Sequence, residues 1–455
     1  MNDLILKLRL KNLLENKLYL LIIISVIIRL AVVALYAPIG YADTGWYEKL
    51  AKEIVSWDFS NYDGARTPIY PLMLILGFFR WKIIWLIQLS FGAANVLLVY
   101  LITYKATRND KFSFWAGVIY NLTLVLLFFE SNLLTETLCI FFLLLIVLSF
   151  QKISEDNQQR KASKNRNYIY LSTVISLATL TRPTFAYIFL LVLFFLIYDY
   201  KKNKNTGSFL LKKIALYFIP FILLVGGWSM FNKIKVDYFG PTTLTGFHFI
   251  EHSGAFIEYA PDSYSDIKNI YLKYREIKIN ETGEQTCTIY MAYPEIQAVK
   301  KYSVAQVSKD LTALSFWLFY HYPDLYFKSL LRAYMDFWCL PNFVDYWDLT
   351  KVRFRFLASF LKYAVKVELY LWIGINFIFI IIFLYNIYLF FRKKTSPVNT
   401  IILLLSSSVI ALSIIQALVQ YGDNWRFNVA VKPYIILALV LTIYSLTVNR
   451  GRKTC

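Results

Sequence analysis

The chain has 455 residues, of which 58% are hydrophobic, 18% aromatic and only 17% charged, with a mean hydropathy of +0.49. A soluble chain carries about 25% charge, so this composition excludes a soluble globular enzyme. It predicts an all-α polytopic membrane protein built from apolar runs near or above the roughly 18 residues that mark a spanning helix. The net charge of +19 raises nucleic acid as a partner, and the position of the charges removes it.

The first apolar run, Leu18–Ala37, follows a basic N-terminal segment and is interrupted by Arg29. It is too long for a signal-peptide core and reads as an uncleaved anchor with the N-terminus inside. An arginine within a span is either functional or a structural charge facing the bundle interior. Residues 38–67 then lie outside. An interfacial amphipathic helix is expected over Trp46–Ser56, its apolar side formed by Trp46, Tyr47, Leu50, Ile54 and Trp57. Pro68–Phe79 is apolar but too short to span, which predicts a re-entrant or interfacial helix.

Further spans are expected at Ile83–Tyr104, Phe112–Phe129, Leu133–Phe150, Tyr168–Leu180, Phe185–Tyr198 and Ile214–Phe231. A polar outer segment, 232–366, has helical patterns at Ser303–Tyr320 and Pro323–Phe337. Val367–Phe391, Thr400–Val419 and Pro433–Thr447 complete about ten spans. The expected organisation is an N-terminal membrane module (1–231) with its outer loop at 38–67, a small extracytoplasmic domain (232–366) and C-terminal spans (367–455). Lys105, Arg108 and Lys111 then share one side with Lys152, Arg160, Lys161, Lys164 and Arg166, with Lys201, Lys202 and Lys204, with Arg392–Lys394, and with Arg450, Arg452 and Lys453. That is the positive-inside pattern of a plasma (inner) membrane protein with both termini cytoplasmic. It accounts for much of the net charge without nucleic acid.

The candidate polar residues all fall on the outer side. The inner loops carry no Gly-x-Gly-x-x-Gly and no P-loop, so a cytoplasmic nucleotide donor fits poorly. Asp43 reads either as a general base, since a partly desolvated carboxylate can accept a proton during group transfer, or as a cap for the helix that begins at Thr44–Trp46. Arg66, Arg182 and Arg426 each stand in an outer turn beside a span. Guanidinium groups bind phosphate through paired hydrogen bonds, and the alternative is snorkelling to lipid headgroups. Glu130 and Glu136 are acids at the end of a span, read as ion-pair partners or sugar ligands. His248, Glu251 and His252 resemble a partial metal site but lack a full ligand pattern, and no metal is predicted. Cys139, Cys287, Cys339 and Cys455 show no C-x-x-C spacing; they read as unpaired buried thiols, with a Cys287–Cys339 bond in an outer domain as the alternative.

Taken in order, D-T-x-x-Y-x-x-x-A (Asp43, Thr44, Tyr47, Ala51), R-T-P-x-Y-P (Arg66 to Pro71), R-L at Arg29, T-E at Thr135, T-R-P (Thr181 to Pro183) and Y-G-D-N-W-R-F (Tyr421 to Phe427) followed by Pro433 resemble the GT-C glycosyltransferases. The nearest likeness is to glycosyltransferase family 39, which holds bacterial aminoarabinose transferases and protein O-mannosyltransferases. The resemblance implies a GT-C membrane bundle, a polyprenyl-phosphate-sugar donor, inverting displacement and an extracytoplasmic acceptor that is lipid, polysaccharide or protein. It implies Asp43 as the catalytic aspartate and Arg66, Arg182 and Arg426 at the donor phosphate. Tyr47, Tyr70, Glu136, His248 and His252 complete the candidate substrate contacts. Thr44 stands where many members carry a second acid, and no cofactor or divalent metal is expected. Two other readings are a lipid-linked glycan flippase, which needs charges deep in many spans, and an O-antigen ligase or polymerase, which concentrates its key residues in a late outer loop.

Overall fold

A computed structural model describes residues 16–159, 161, 163–203, 208–339 and 348–451. The basic residues ahead of Asn16, with Arg160, Lys204, Arg452, Lys453 and Cys455, lie outside the described residues, as does the side chain of Arg450. Among the described residues the chain is helical with no strand and one isolated bridge.

Helix α1 (Lys17–Leu35) is the first span. Then come α2 (Ala42–Ser56), α3 (Ile69–Leu76) and α4 (Trp81–Thr107). Helix α3 has 8 residues; at about 12 Å it cannot cross a hydrocarbon core of about 30 Å. Phe78 and Phe79, both left-handed, reverse the chain from α3 into α4. Helix α2 buries Tyr47, Leu50 and Ala51 together with Thr44 and Glu53. Trp57, expected on that apolar side, instead ends the helix in a left-handed conformation and is 82% exposed.

The single span expected over Phe112–Phe129 is two helices, α5 (Asp110–Leu122) and α6 (Leu124–Phe129), because Thr123 is extended. The N–H groups freed at this break donate from Leu124 and Val125 to the Glu368 carboxylate at 2.7 and 3.3 Å. Next are α7 (Glu136–Gln158), α8 (Asn165–Thr181) and α9 (Tyr187–Lys202). Helix α10 (Ser208–Phe221) continues through a π turn into α11 (Gly227–Val236).

Four helices, α12 (Thr245–Ser253), α13 (Ser265–Thr282), α14 (Thr288–Lys300) and α15 (Val304–His321), form a cap. Its own core is built from Phe247, Ile250, Tyr271, Ile289, Ile296 and Leu314. Helix α15 begins with a capping box between Ser303 and Gln306. Helix α16 (Pro323–Trp338) leaves the cap, and its Phe337 and Trp338 join the core of the bundle. The last helices are α17 (Arg355–Phe391), α18 (Pro397–Val419) and α19 (Asn424–Gly451), and α16 packs on α18 and α19. At 37 residues, α17 is about 55 Å long, so its first turns belong to the segment that the sequence assigned to the outer domain.

Eight helical stretches among the described residues are long and apolar enough to cross a membrane. The broken α5–α6 pair and α8, with 17 residues, are the two of the ten expected spans that fall short of that length. Helices α4, α7, α18 and α19 are the most buried spans, whereas α1, α10–α11 and α17 turn most of their apolar surface outward. Lipid-facing side chains need no burial. Arg29 lies inside α1, only 6% exposed, and both terminal nitrogens of its guanidinium are engaged. Its Nη2 is 2.6 Å from Glu130 Oε1, and Nη1 donates to Ser25 Oγ at 2.7 Å and Asn121 Oδ1 at 2.8 Å. This arginine is a clamp between α1, α5 and the turn after α6. Cys139, Cys287 and Cys339 are free thiols.

Candidate functional site

The start of α2 is fixed by the turn that precedes α7. Ile39 N–H donates to the Ser131 carbonyl at 3.0 Å and Leu133 N–H to the Ile39 carbonyl at 2.8 Å, which closes the isolated bridge between Ile39 and Asn132. Thr44 Oγ1 accepts from the Tyr41 N–H at 2.9 Å and donates to the Leu133 carbonyl at 2.9 Å. Gln88 holds the same turn by donating to the carbonyls of Glu130 and Asn132, and it accepts from the Tyr70 hydroxyl at 2.8 Å. Asp43, in the first turn of α2, and Glu136, in the first turn of α7, are thereby brought to one place. A carboxylate is favoured at each helix N-terminus by the positive end of the dipole.

Three local breaks deliver the arginines. Arg66 follows Gly64, whose positive φ of +73° and close neighbour Thr243 exclude a side chain: a Cβ there would stand 2.7 Å from Thr243 Cγ2. Thr243 N–H donates to the Gly64 carbonyl at 3.0 Å, and Thr242 Oγ1 donates to the Ala65 carbonyl at 2.8 Å, so the G-P-T-T stretch ahead of the cap fastens this loop. Arg182 ends α8 in extended conformation because Pro183 follows, and a residue before proline is driven out of the helical region. Arg426 sits in the first turn of α19, just past the left-handed pair Gly422 and Asp423.

These residues meet in one ion-pair cluster. Arg66 Nη2 is 2.6 Å from Asp43 Oδ1, and Arg426 Nη1 is 2.9 Å from Asp43 Oδ2. Arg426 Nε is 2.5 Å from Glu136 Oε1, and Arg182 Nη1 is 3.1 Å from the same oxygen. The Glu136 side chain is fully buried, while that of Asp43 keeps 30% of its surface accessible. Aromatic rings support the guanidiniums: Arg66 lies 4.9 Å from the Tyr47 ring and 5.9 Å from Trp46, and Arg182 lies 3.9 Å from Phe427. Tyr70 packs edge-on against Tyr47 at 4.8 Å. Burial pushes the Asp43 carboxyl up, but Arg66 and Arg426 together outweigh it and hold the group well below the ordinary carboxylate range. Three guanidiniums against two carboxylates leave a formal charge of +1, and the buried Arg66 Nε has no hydrogen-bond partner among the described residues.

Of the residues expected from the sequence, Asp43, Arg66, Arg182, Arg426 and Glu136 are thus together, with Tyr47 and Tyr70 directly beneath. His248 is their neighbour from the cap: burial first, and then Arg66, lower its imidazole to about 4. His252 is elsewhere, with Nδ1 2.8 Å from Ser329 Oγ and its ring against Tyr326. Glu251 accepts from the Cys287 N–H at 2.9 Å. The three members of that sequence cluster take separate partners, and the described residues contain no His/Cys/Asp/Glu group arranged to hold a metal ion. Trp46 and Phe427 were not singled out as site residues. Their signal is positional: Trp46 is one helical turn from Asp43, and Phe427 follows Arg426 directly.

Residues 50–252 match the model of the Alg9-like mannosyltransferase family, under half of the chain. The matched stretch contains Arg66, Glu136 and Arg182, but not Asp43 or Arg426. No curated protein and no solved structure matches. The family match supports a membrane glycosyltransferase of the GT-C type that uses a lipid-linked donor, and it does not single out family 39. The helical architecture and its apolar spans are those of an all-α, multi-pass membrane protein, consistent with the GT-C type.

Proposed function

We propose that this glycosyltransferase moves a sugar from a polyprenyl-phosphate-linked donor to an extracytoplasmic acceptor by a single inverting displacement. The observation that supports it is the cluster of Arg66, Arg182 and Arg426 around Asp43 and Glu136, with its formal charge of +1. A sugar phosphodiester carries one negative charge, so it completes the balance of the site. The leaving polyprenyl phosphate carries more negative charge than the donor, so fixed guanidiniums favour the transition state over the ground state.

In the resting arrangement both Asp43 oxygens are occupied by arginines, which makes it a weak base. A donor phosphate competes for those guanidiniums and adds a negative charge beside the carboxylate, and both effects raise its proton affinity. The acceptor oxygen then attacks the anomeric carbon as its proton passes to Asp43. The bond from that carbon to the phosphate oxygen breaks, and the phosphate leaves with the electron pair. Glu136 orients Arg182 and Arg426. Charge stabilisation comes from the arginines, and the scheme uses no divalent cation. The Lys/Arg pattern of the loops supports cytoplasmic termini and an outer active site in the plasma membrane.

The test is reconstitution of the full chain with a series of polyprenyl-phosphate sugars, following release of polyprenyl phosphate. Turnover of at least one donor, with inverted configuration in the product, is expected. Absence of turnover across the series, or retained configuration, overturns the proposal. Mass spectrometry of envelope glycans from a deletion strain identifies the product, which is expected to be missing there.

A further inference from the structure

A second group of charges lies inside the bundle, at the end of α6 away from the arginine cluster. Thr123 is extended, so α6 begins afresh at Leu124, and the first N–H groups of a helix have no partner within it. Glu368 on α17 supplies one, accepting from Leu124 N–H at 2.7 Å and Val125 N–H at 3.3 Å. Its Oε1 also accepts from the indole Nε1 of Trp372, one turn along α17, at 3.1 Å. The face of that indole carries Lys432 of α19, whose Nζ lies 3.8 Å from the ring centroid and donates to Asn428 Oδ1 at 3.1 Å. Lys432 is 1% exposed. A carboxylate at the edge of one indole and an ammonium on its face thus form a strut between α6 and α19.

Both charges stand in helices long and apolar enough to span, where an ionisable side chain is costly, and no step of the transfer uses either. Their use is in what they join. Helix α17 packs on both α6 and α19, and those two helices lead to the two halves of the site. From Leu124, the six residues of α6 run about 9 Å to Phe129 and the turn that bonds Ile39 and the Thr44 hydroxyl. That turn sets Asp43. The start of α7, with Glu136, is tied to the same end of α6 by Thr137 Oγ1, which donates to the Phe129 carbonyl at 3.2 Å. On the other side, Lys432 follows Arg426 by about 9 Å along α19. The Phe129 ring lies 6.2 Å from that of Trp425, the residue before Arg426. The carboxylate half and the arginine half are therefore registered against each other at the site and again at the strut.

We infer that Glu368 and Lys432 are positioning residues: joined through Trp372, they set α6 against α19 and so hold Asp43 and Glu136 within reach of Arg426. Their effect on turnover rests on the glycosyltransferase reading. Their effect on the backbone bridge beside Asp43 does not.

The experiment follows amide hydrogen exchange and donor turnover of the full-length protein in nanodiscs. Glu368→Ala combined with Lys432→Met removes both charges at once, so no uncompensated ion remains to unfold the bundle. In that variant exchange is expected to rise at Leu124 and Val125 and, about tenfold, at Ile39 and Leu133, whose N–H groups close the bridge beside Asp43. Its kcat per folded molecule is expected to fall about 10- to 100-fold, the scale of a misplaced catalytic group, with a smaller change in donor KM. Glu368→Gln combined with Lys432→Met returns an acceptor oxygen without a charge and is expected to restore both readouts. Trp372→Phe keeps the ring and loses its N–H, and is expected to shift both by about threefold, the weight of one hydrogen bond; it carries the test where the double variant folds poorly. A purely structural pair changes yield and unfolding temperature but leaves kcat per folded molecule and exchange at the bridge where they were, and that outcome overturns the inference. Exchange needs no turnover, so its result is distinct from a failure of the unsubstituted protein to cleave any donor.

Discussion

Arg426 holds Asp43 and Glu136 at the same time, through Nη1 at 2.9 Å and Nε at 2.5 Å. One guanidinium thus fixes the spacing between a partly accessible carboxylate and a fully buried one. The planar fork does this with two donors in a set geometry, which an ammonium cannot reproduce. Arg426→Lys is expected to lower kcat/KM about 100-fold, within the range for loss of a charge-stabilising donor. Near-normal turnover by the lysine variant counts against the assignment.

Asp43→Asn keeps the shape of the side chain and removes its ability to take a proton. The protein should insert and bind donor, with kcat reduced about 10²- to 10⁴-fold, the usual weight of general-base catalysis. Donor binding is read by titration with a non-cleavable phosphate analogue. Transfer at the rate of the unsubstituted chain removes Asp43 from the role of base.

Thr44 occupies the position where the family resemblance implies a second acid, and its hydroxyl is spent on the Tyr41 N–H and the Leu133 carbonyl. An aspartate there has no proton to donate and sets a negative charge against a carbonyl. Thr44→Asp is expected to destabilise the fold by about 1–3 kcal/mol, the cost of a buried acceptor losing its partner, without creating metal dependence. Thermal unfolding and activity across a divalent-metal series check both parts.

Arg29 and Glu130 should behave as structure. Removing one member of a buried pair costs about 3–5 kcal/mol because the other charge is left uncompensated. Arg29→Met should therefore lower yield and unfolding temperature, while the folded fraction retains its donor KM. Gly92→Ala probes the same place, since its Cβ would stand 2.0 Å from the Glu130 carboxyl carbon.

Burial raises the Glu251 carboxyl to about 8, against the opposing bond from the Cys287 N–H. Between its ordinary value of 4.5 and about 8, the folded cap binds the proton that the unfolded chain releases. The contribution of this group to stability therefore falls as pH rises through that window and levels off above it. Subtracting the unfolding curve of Glu251→Gln from that of the unsubstituted chain should isolate this slope. A flat difference between pH 5 and 8 refutes it.

The spans, the short helix after Pro68 and the helices at Ser303–Tyr320 and Pro323–Phe337 were legible because length, apolarity and capping residues are local signals. The break at Thr123 was not, since its compensation comes from Glu368, far along the chain. Trp57 was misplaced because helical periodicity does not register where a left-handed residue ends the helix. The motifs pointed to Asp43 and the three arginines separately, but nothing local says that Glu136 is shared by Arg182 and Arg426. His252 shows the converse: it shares a helix face with His248, one turn away, yet His248 neighbours the arginine cluster while His252 Nδ1 meets Ser329 Oγ, because that one turn is enough to bring a different partner helix against it.

Arg426 and Asp43 are 383 positions apart, and the last long helix brings the arginine. During synthesis the carboxylates of Asp43 and Glu136 are therefore made long before their shared cation exists. Until α19 inserts, Glu136 has Arg182 as its only arginine neighbour, a costly state in a low-dielectric setting. Completion of the arginine–carboxylate cluster and the packing of α19 into the bundle are then one event, so a chain that ends before α19 is expected to lack the proposed site.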